Sequence, residues 1–539
     1  MSTTEIFLLL LVAICVVAYG APRLRVANPI AFVLAGMGLG LIPAFGNFVF
    51  PPELMLLIFL PPLLTSAAYF TSLRDFRANK RPIMQLAVGL VVFTCAVVAL
   101  TMHWLEPEIS IAAGFVLGAI IAAPDAVAAV SMTKNAVLPR RVMTILEGES
   151  LVNDATGLVI YQFAVAAVVT GVFSLLGASL HFLWMVVSGL ALGWFAGWLY
   201  MKIFPRIREM SVEILSTFLA PYAVYIAAEA VHSSGVLAVV AFGLTVGWYA
   251  PKVFQPVFRV PAEAIWKMVT FVMEGLVFLL IGLHFPGLVS RLQQYDAETL
   301  WTLGLMVPLV AVVSRFVWVF AVAYGTRFFF AGIRARDPYP AWQNVFIIGW
   351  VGVRGVVALA TALAVPLTVE GGAPFPHRDL ILFLAFCVII FTLIFQGLTL
   401  PWLLKRVRMV YHEDARAAQE QWIARKIAAE TAREKLQQLR RDGSHQSAAF
   451  ERIVSHYEDK VQALGDGPYT PIHAHEPPPQ QRHDEHPILA VENKIWKEVL
   501  EAERDAIIKL RHGFKISDDI MHEMLRDIDL LFNRFAGRA

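Results

Sequence analysis

The chain predicts an all-α polytopic membrane protein whose membrane part is followed by a polar helical segment. Three observations carry this expectation. Of 539 residues, 58% are hydrophobic and only 16% charged, whereas soluble globular chains sit near half apolar and a quarter charged. Apolar stretches of about 20 residues, the length that crosses a bilayer core as a helix, recur along the first three quarters of the chain. Charges are scarce and cluster between those stretches up to residue 408 and become dense beyond it. Mean hydropathy is +0.63.

The first stretch begins at Ile6, after Met1-Ser-Thr-Thr-Glu. It has no basic leader and no small-residue cleavage site, so it reads as a retained helix. Further stretches centre near residues 37, 61, 93, 121, 159, 190, 221, 242, 274, 315, 355 and 392, giving about thirteen spans. The loops provide an independent check. With the N-terminus outside, the cytoplasmic loops hold Arg23, Arg25, Arg74, Arg77, Lys80, Arg81, Lys134, Arg140, Arg141, Lys202, Arg206, Arg208, Lys252, Arg259, Arg327, Arg334 and Arg336. The opposite loops hold essentially Arg291 and Arg378. This asymmetry follows the positive-inside rule and predicts a multi-pass protein of the cell (inner) membrane, N-terminus out and C-terminus in. The three cysteines, Cys15, Cys95 and Cys387, lie far apart within apolar stretches and read as buried thiols.

Two parts are expected: a membrane domain over 1–408 and a cytoplasmic helical regulatory tail over 409–539. Glu413 to Arg441 is polar and alanine-rich, as a solvated helix would be. Pro471 to Pro487 reads as a linker, with histidines 473, 475, 483 and 486 most simply solvated. In the last segment Ser517 can cap a helix whose Ile520, Met521, Met524, Leu525, Ile528, Leu531, Phe532 and Phe535 form one apolar stripe.

Ionisable residues deep within membrane helices are costly and therefore functional candidates. The fifth span carries Pro124-Asp125. Proline donates no backbone hydrogen bond and crowds the preceding turn, which frees carbonyls near Ile120 beside a carboxylate. Such oxygens suit a dehydrated alkali cation. In the sixth span Glu149 and Asn153, and likewise Ser150 and Asp154, are four residues apart, so all four lie on one side of a helix. They offer oxygen ligands to a hard cation. The twelfth span carries Arg354 between Gly352 and Gly355. A permanently charged guanidinium at that depth requires a carboxylate, for which Glu149 is the expected partner. Interruptions in an early and a late span match the inverted-repeat pattern of transporters. Glu229 and Glu274 could line a vestibule or pair with Lys267 or Arg315, and His181 and His232 fall near outer helix ends.

At these residues the sequence resembles the monovalent cation:proton antiporter-1 family of sodium/proton exchangers, in its bacterial form. The matching stretches are Ala123-Pro124-Asp125-Ala, Glu149-Ser150-Leu-Val-Asn153-Asp154-Ala, Ser234-Gly235-Val-Leu-Ala, Phe278-Leu-Leu-Ile-Gly282 and Trp350-Val-Gly-Val-Arg354-Gly355. The resemblance implies thirteen helices, divided between a dimerisation part and a core with two crossing broken helices, and a homodimer in lipid. It implies that Asp154 binds Na+ or protons in turn, helped by Ser150 and by backbone oxygens near Pro124. Asn153 would support the site, and Glu149 would pair with Arg354. The family usually has a proline after its Asp125-type residue and often a threonine before it; here the order is Pro124-Asp125-Ala126, so only the backbone carbonyl of position 124 could serve.

The expected activity is therefore exchange of Na+, or Li+, for H+, with a K+/H+ exchanger of the same fold as the alternative. Asn153 is neutral and Glu149 is held by an arginine, so one exchangeable charge remains and electroneutral one-for-one exchange follows. No cofactor and no nucleic-acid partner are expected. A channel would want a filter-like loop or a ring of carbonyls or charges. An intramembrane hydrolase would want a base beside Ser150, which lies in Gly-Glu-Ser-Leu-Val with no histidine in the same spans. Neither signal is present in the sequence.

Overall fold

The computed structural model describes residues 3–24, 26–43, 45, 52–125, 138–171, 175–369, 372–407, 414–442, 447–465 and 486–536. Arg25, Lys134, the expected boundary at 408–409 and histidines 473, 475 and 483 lie outside the described residues, as do the side chains of His181, His486 and Phe535.

The described residues are helical almost throughout, with a single isolated β-bridge between Thr368 and Pro374. The helices are α1 (Thr3–Gly20), α2 (Asn28–Gly40), α3 (Pro52–Phe70), α4 (Lys80–Leu105), α5 (Ile111–Ala122), α6 (Arg140–Thr170), α7 (Leu175–Ile203), α8 (Met210–Ala230), α9 (Gly235–Val253), α10 (Pro256–Arg291) and α11 (Ala297–Phe329). They continue with α12 (Trp342–Trp350), α13 (Val356–Leu363), α14 (Arg378–Arg406), α15 (Asp414–Arg441), α16 (Ala448–Gly465), α17 (His486–His512) and α18 (Asp518–Ala536). Among the described residues, eight helices are long and apolar enough to cross a membrane, and α1, α2, α3 and α5 contain shorter apolar stretches. Twelve of the apolar centres read from the sequence fall within helix. The centre near residue 355 falls on the non-helical break between α12 and α13. Cys15, Cys95 and Cys387 are free thiols, Cys15 exposed and Cys95 buried.

Inside a membrane, helices cannot be driven together by water, so packing rests on small residues that let backbones approach. Three glycines four residues apart on α7, Gly189, Gly193 and Gly197, meet Ser234, which caps α9, and Ala238 and Thr245 within it. Gly114 and Gly118 of α5 lie against Ala99 and Cys95 of α4. Gly36 of α2 and Gly282 of α10 face each other so closely that a Cβ on Gly282 would stand 2.9 Å from the Gly36 carbonyl carbon. Lipid-facing positions are left apolar, as at Trp194, Leu219 and Val317.

The four C-terminal helices bury their apolar side chains in a cluster of their own, separate from the main core. It contains Ala428, Leu436, Phe450, Tyr457, Trp496, Ile507 and the α18 stripe of Ile520, Met521, Met524, Leu525 and Ile528. Ser517 begins α18, its Oγ accepting from the Ile520 N–H at 3.4 Å.

Candidate functional site

Two helix interruptions face each other at the centre of the main core. Helix α5 starts where Ser110 Oγ accepts from the Ala113 N–H at 3.2 Å. It stops at Ala122, just before Pro124, which has no N–H to continue the ladder. Ala123 to Asp125 then run without helix. On the other side α12 ends at Trp350, residues Val351 to Gly355 are non-helical, and α13 begins at Val356.

Each interruption satisfies groups that the other leaves open. The Asp125 N–H donates to the Val353 carbonyl at 2.7 Å. Arg354 Nε donates to the Ile121 carbonyl at 2.9 Å, placing a cation at the carbonyl-rich end of α5. Arg354 Nη1 also bonds the Gly352 carbonyl. Its backbone N–H donates to Thr392 Oγ1 at 3.3 Å, within a π-helical segment of α14 (Thr392–Gln396). The Asp125 carboxylate lies against Gly355, at the positive N-terminal end of α13.

Helix α6 completes the site. Asn153, fully buried, donates from Nδ2 to the Pro124 carbonyl at 3.1 Å. The expected Pro124 oxygen is thus engaged by Asn153. Asp125, Ser150 and Asp154 line a cavity of about 670 Å³, and Glu147, Thr270 and Glu274 join them. Asp154 is 8% exposed, and no hydrogen bond or ion pair holds its carboxylate among the described residues. Asp125, Ser150 and Asp154 thus share one cavity, and Asn153 and the Pro124 carbonyl are joined to each other.

The expected ion pair is not formed. Glu149 is held by Arg315 of α11 and not by Arg354. Arg315 Nη1 and Nη2 donate to Glu149 Oε1 and Oε2 at 2.5 and 2.9 Å, and both side chains are 1% exposed. Arg315 also donates to the Ile348 carbonyl. A two-point guanidinium–carboxylate contact satisfies both planar groups, whereas Arg354 is satisfied mainly by backbone carbonyls. The two arginines flank Gly352, where a Cβ would lie 2.8 Å from Arg315 Cδ and 3.2 Å from Arg354 Nη1. Neither Glu229 nor Glu274 pairs with Lys267 or Arg315. Glu229 Oε1 accepts from the Gly235 N–H at 3.0 Å, and Lys267 pairs with Glu263 at 2.7 Å.

Sequence reasoning offered Arg315 only as a partner for Glu229 or Glu274 and not for Glu149, and it missed Thr392 and Glu147. Arg315 carried a usable signal, since an arginine at the centre of an apolar stretch needs a partner as much as Arg354 does. Thr392 carried none, because a threonine in a membrane helix ordinarily bonds its own preceding turn.

Comparison with known proteins gives this arrangement its context. The profile described as "Sodium/hydrogen exchanger, transmembrane" matches residues 7–406. The chain belongs to the sodium/hydrogen exchanger family. It is 32% identical over 517 residues to an uncharacterised Na+/H+ exchanger of Mycobacterium tuberculosis, covering 94% of this chain and 92% of the relative. It is 31% identical to an uncharacterised Na+/H+ exchanger of Escherichia coli, covering 98% of both. A Bacillus subtilis protein named as a sodium, potassium, lithium and rubidium/H+ antiporter is 30% identical, covering 98% of this chain and 78% of that one. Among solved structures, the sodium proton antiporter MjNhaP1 from Methanocaldococcus jannaschii shares the fold at a TM-score of 0.60 and 18% identity, covering 74% of this chain and 97% of that chain. The resemblance read from the motifs is thus borne out, and with it the multi-pass antiporter fold.

Proposed function

We propose that this exchanger carries Na+ and H+ in opposite directions across the cell membrane, with Asp154 holding the cation and the proton in turn. The observation that carries this reading is a carboxylate in a cavity beside two helix interruptions that lock each other. Such interruptions place backbone oxygens and helix ends at mid-membrane, where ions must be stripped of water. A carboxylate binds a proton or a metal cation, each at the expense of the other. Competition for one group then couples the two flows, provided that access switches from one side to the other. Ser150 and Asp125 are oxygen donors that share the cavity of Asp154, and Asn153 holds the Pro124 carbonyl in position.

With Glu149 neutralised by Arg315 and position 153 uncharged, Asp154 carries the exchanged charge and turnover is electroneutral, one for one. The arginine-rich loops set the N-terminus outside and the four C-terminal helices in the cytoplasm, as a regulatory unit. Two such chains associate as a homodimer in the membrane.

The experiment is exchange in proteoliposomes. A pH gradient, acidic inside, is monitored with a pH dye while Na+, Li+ or K+ is added outside, for wild type and Asp154→Asn. Cation-dependent alkalinisation that disappears in Asp154→Asn is the expected result. The most effective cation names the substrate, and a K+ response exceeding that to Na+ would replace Na+ in this reading. A well-folded wild type that answers to no cation overturns it, and a transport current that reverses with voltage overturns electroneutrality.

A further inference from the structure

Three membrane-crossing helices end at one place. α4 begins at Lys80, α6 begins at Arg140 and α11 finishes at Phe329, and a cavity of about 980 Å³ lies among these ends. Six basic side chains line it, Arg74, Arg77, Lys80, Arg81, Arg140 and Arg141, against three acidic ones, Asp75, Asp337 and Glu420. Two of the three helix ends are N-termini, where the peptide dipoles add to the positive field. No side chain caps the first turn of α6, which starts after Pro139.

The acids are already engaged. Glu420 of α15 pairs with Arg74 at 3.1 Å, Asp75 with Arg140 at 3.2 Å and Asp337 with Arg141 at 2.9 Å. Arg140 also meets Asp519 of α18 at 3.2 Å. Three basic residues that join the C-terminal helices to the membrane part elsewhere have partners as well. Arg259 pairs with Asp529 at 2.5 Å, Arg504 donates to the carbonyls of Pro251 and Phe254 at 2.8 and 2.6 Å, and Arg511 donates to that of Trp248 at 2.8 Å. Arg77, Lys80 and Arg81 differ. Among the described residues no hydrogen bond or ion pair holds them. Arg81 also stands close enough to Arg327 to repel it, as Arg141 does. Like charges gathered without a counter-charge repel one another, and a bound anion relieves that repulsion.

The apolar rim decides which anion. Phe329 and Phe330 line the same cavity and are 77% and 60% exposed, and Phe328 beside them is 72% exposed. Aromatic side chains at the end of a membrane span sit at the boundary between hydrocarbon and headgroups. A phospholipid presents its phosphate to the basic groups and its chains to the rings, whereas a water-soluble phosphate compound leaves the rings in water. Basic pockets among the ends of membrane helices take acidic headgroups for this reason.

We propose that this cavity binds an anionic phospholipid, its phosphodiester headgroup held by Arg77, Lys80 and Arg81 and its acyl chains lying against Phe329 and Phe330.

The test reads lipid binding to the purified full chain in detergent. Phosphatidylglycerol and phosphatidylcholine with the same acyl chains are added in equal amounts, and native mass spectrometry counts the lipids bound. Wild type is compared with Arg77→Gln/Lys80→Gln/Arg81→Gln and with Lys202→Gln/Arg206→Gln/Arg208→Gln, which loses three charges in another loop. The pocket variant is expected to bind phosphatidylglycerol more weakly than wild type, on the order of tenfold or more, with phosphatidylcholine unchanged and the other variant behaving as wild type. Equal retention of phosphatidylglycerol by wild type and the pocket variant overturns the site, and so does an equal loss in the other variant. Phe329→Ser/Phe330→Ser, which keeps every charge, should also lose phosphatidylglycerol, and unchanged binding overturns the seat of the chains. Glycerophosphoglycerol, the headgroup without chains, and inorganic phosphate should leave bound phosphatidylglycerol in place at equal concentration. Displacement by either reassigns the cavity to a soluble phosphate compound and overturns the lipid.

Discussion

Glu149 and Arg315, 166 residues apart, form a two-point ion pair that is almost wholly withdrawn from solvent. The pair ties α6 to α11 one turn before Asn153 and Asp154. It therefore fixes the rotation of the helix on which the cation-binding face is built.

Breaking that pair from one side leaves an unpaired charge in a dry environment. Arg315→Gln is expected to cost about 3–5 kcal/mol, the usual consequence of orphaning a buried ion. Restoring neutrality in the double variant Glu149→Gln/Arg315→Gln should recover most of that loss. The measurement is the melting temperature of the detergent-solubilised protein. A single variant as stable as wild type, or a double variant no better than the single, would contradict the pairing.

Gly355 is where the two interruptions touch. A Cβ there would fall within the Asp125 carboxylate and stand 2.5 Å from Asp125 Cβ and Cγ. Gly355→Ala must therefore displace Asp125 or open the junction. Misplacing a group of the site by about an ångström commonly costs on the order of 100-fold in rate, and a loss of that size is expected in proteoliposome exchange. Gly38→Ala, where a Cβ would meet nothing within 4 Å, is the control and should exchange at the wild-type rate. Equal rates for the two variants would remove the junction from the mechanism.

How much of this was written in the sequence follows from the physical origin of each feature. The stop at Ala122 was legible because proline's missing N–H is covalent and acts wherever the chain goes. The shared face of Glu149, Ser150, Asn153 and Asp154 was legible because helical periodicity fixes it. The choice between Arg315 and Arg354 was not. Both are permanent charges in apolar stretches, and the partner of Glu149 depends on which helix crosses α6 at that height. The docking of α17 on the carbonyls of Trp248, Pro251 and Phe254 was equally hidden, since a backbone acceptor has no sequence signature.

Close backbone approach makes a separate prediction about stability. Gly36 and Gly282 leave no room for a methyl group on either side. A Cβ on Gly36 would stand 3.0 Å from the Gly282 Cα, and one on Gly282 would stand 2.6 Å from the Met37 nitrogen. Gly36→Ala or Gly282→Ala should each cost about 1–3 kcal/mol through overpacking, read as a lower melting temperature. Neither residue lines the cavity, so exchange per folded molecule should stay close to wild type. A variant that melts normally would show that α2 and α10 separate at no cost.

The attachment of α18 should depend on pH through His522. Burial holds its imidazole below the ordinary value of 6.5, reinforced by the charges of Arg259 and Arg511 and opposed by those of Asp518 and Glu263; the rings of Tyr69 and Phe70 complete its surroundings. Docking therefore favours the neutral ring. Its contribution is fully present above 6.5, the value in the undocked helix, and is lost as pH falls through that value toward the lower docked one. Burial pushes the carboxyls of Asp519 and Asp529 the other way, above their ordinary 3.8, so they favour docking as pH falls. A difference measurement separates the two effects. Amide hydrogen exchange over Asp518–Ala536 is followed between about pH 7.5 and 5.5, the range in which histidine titrates, for wild type and His522→Phe. After correction for intrinsic rates, acidification should deprotect wild type more than the variant. Identical pH profiles would remove His522 as the group that loosens α18.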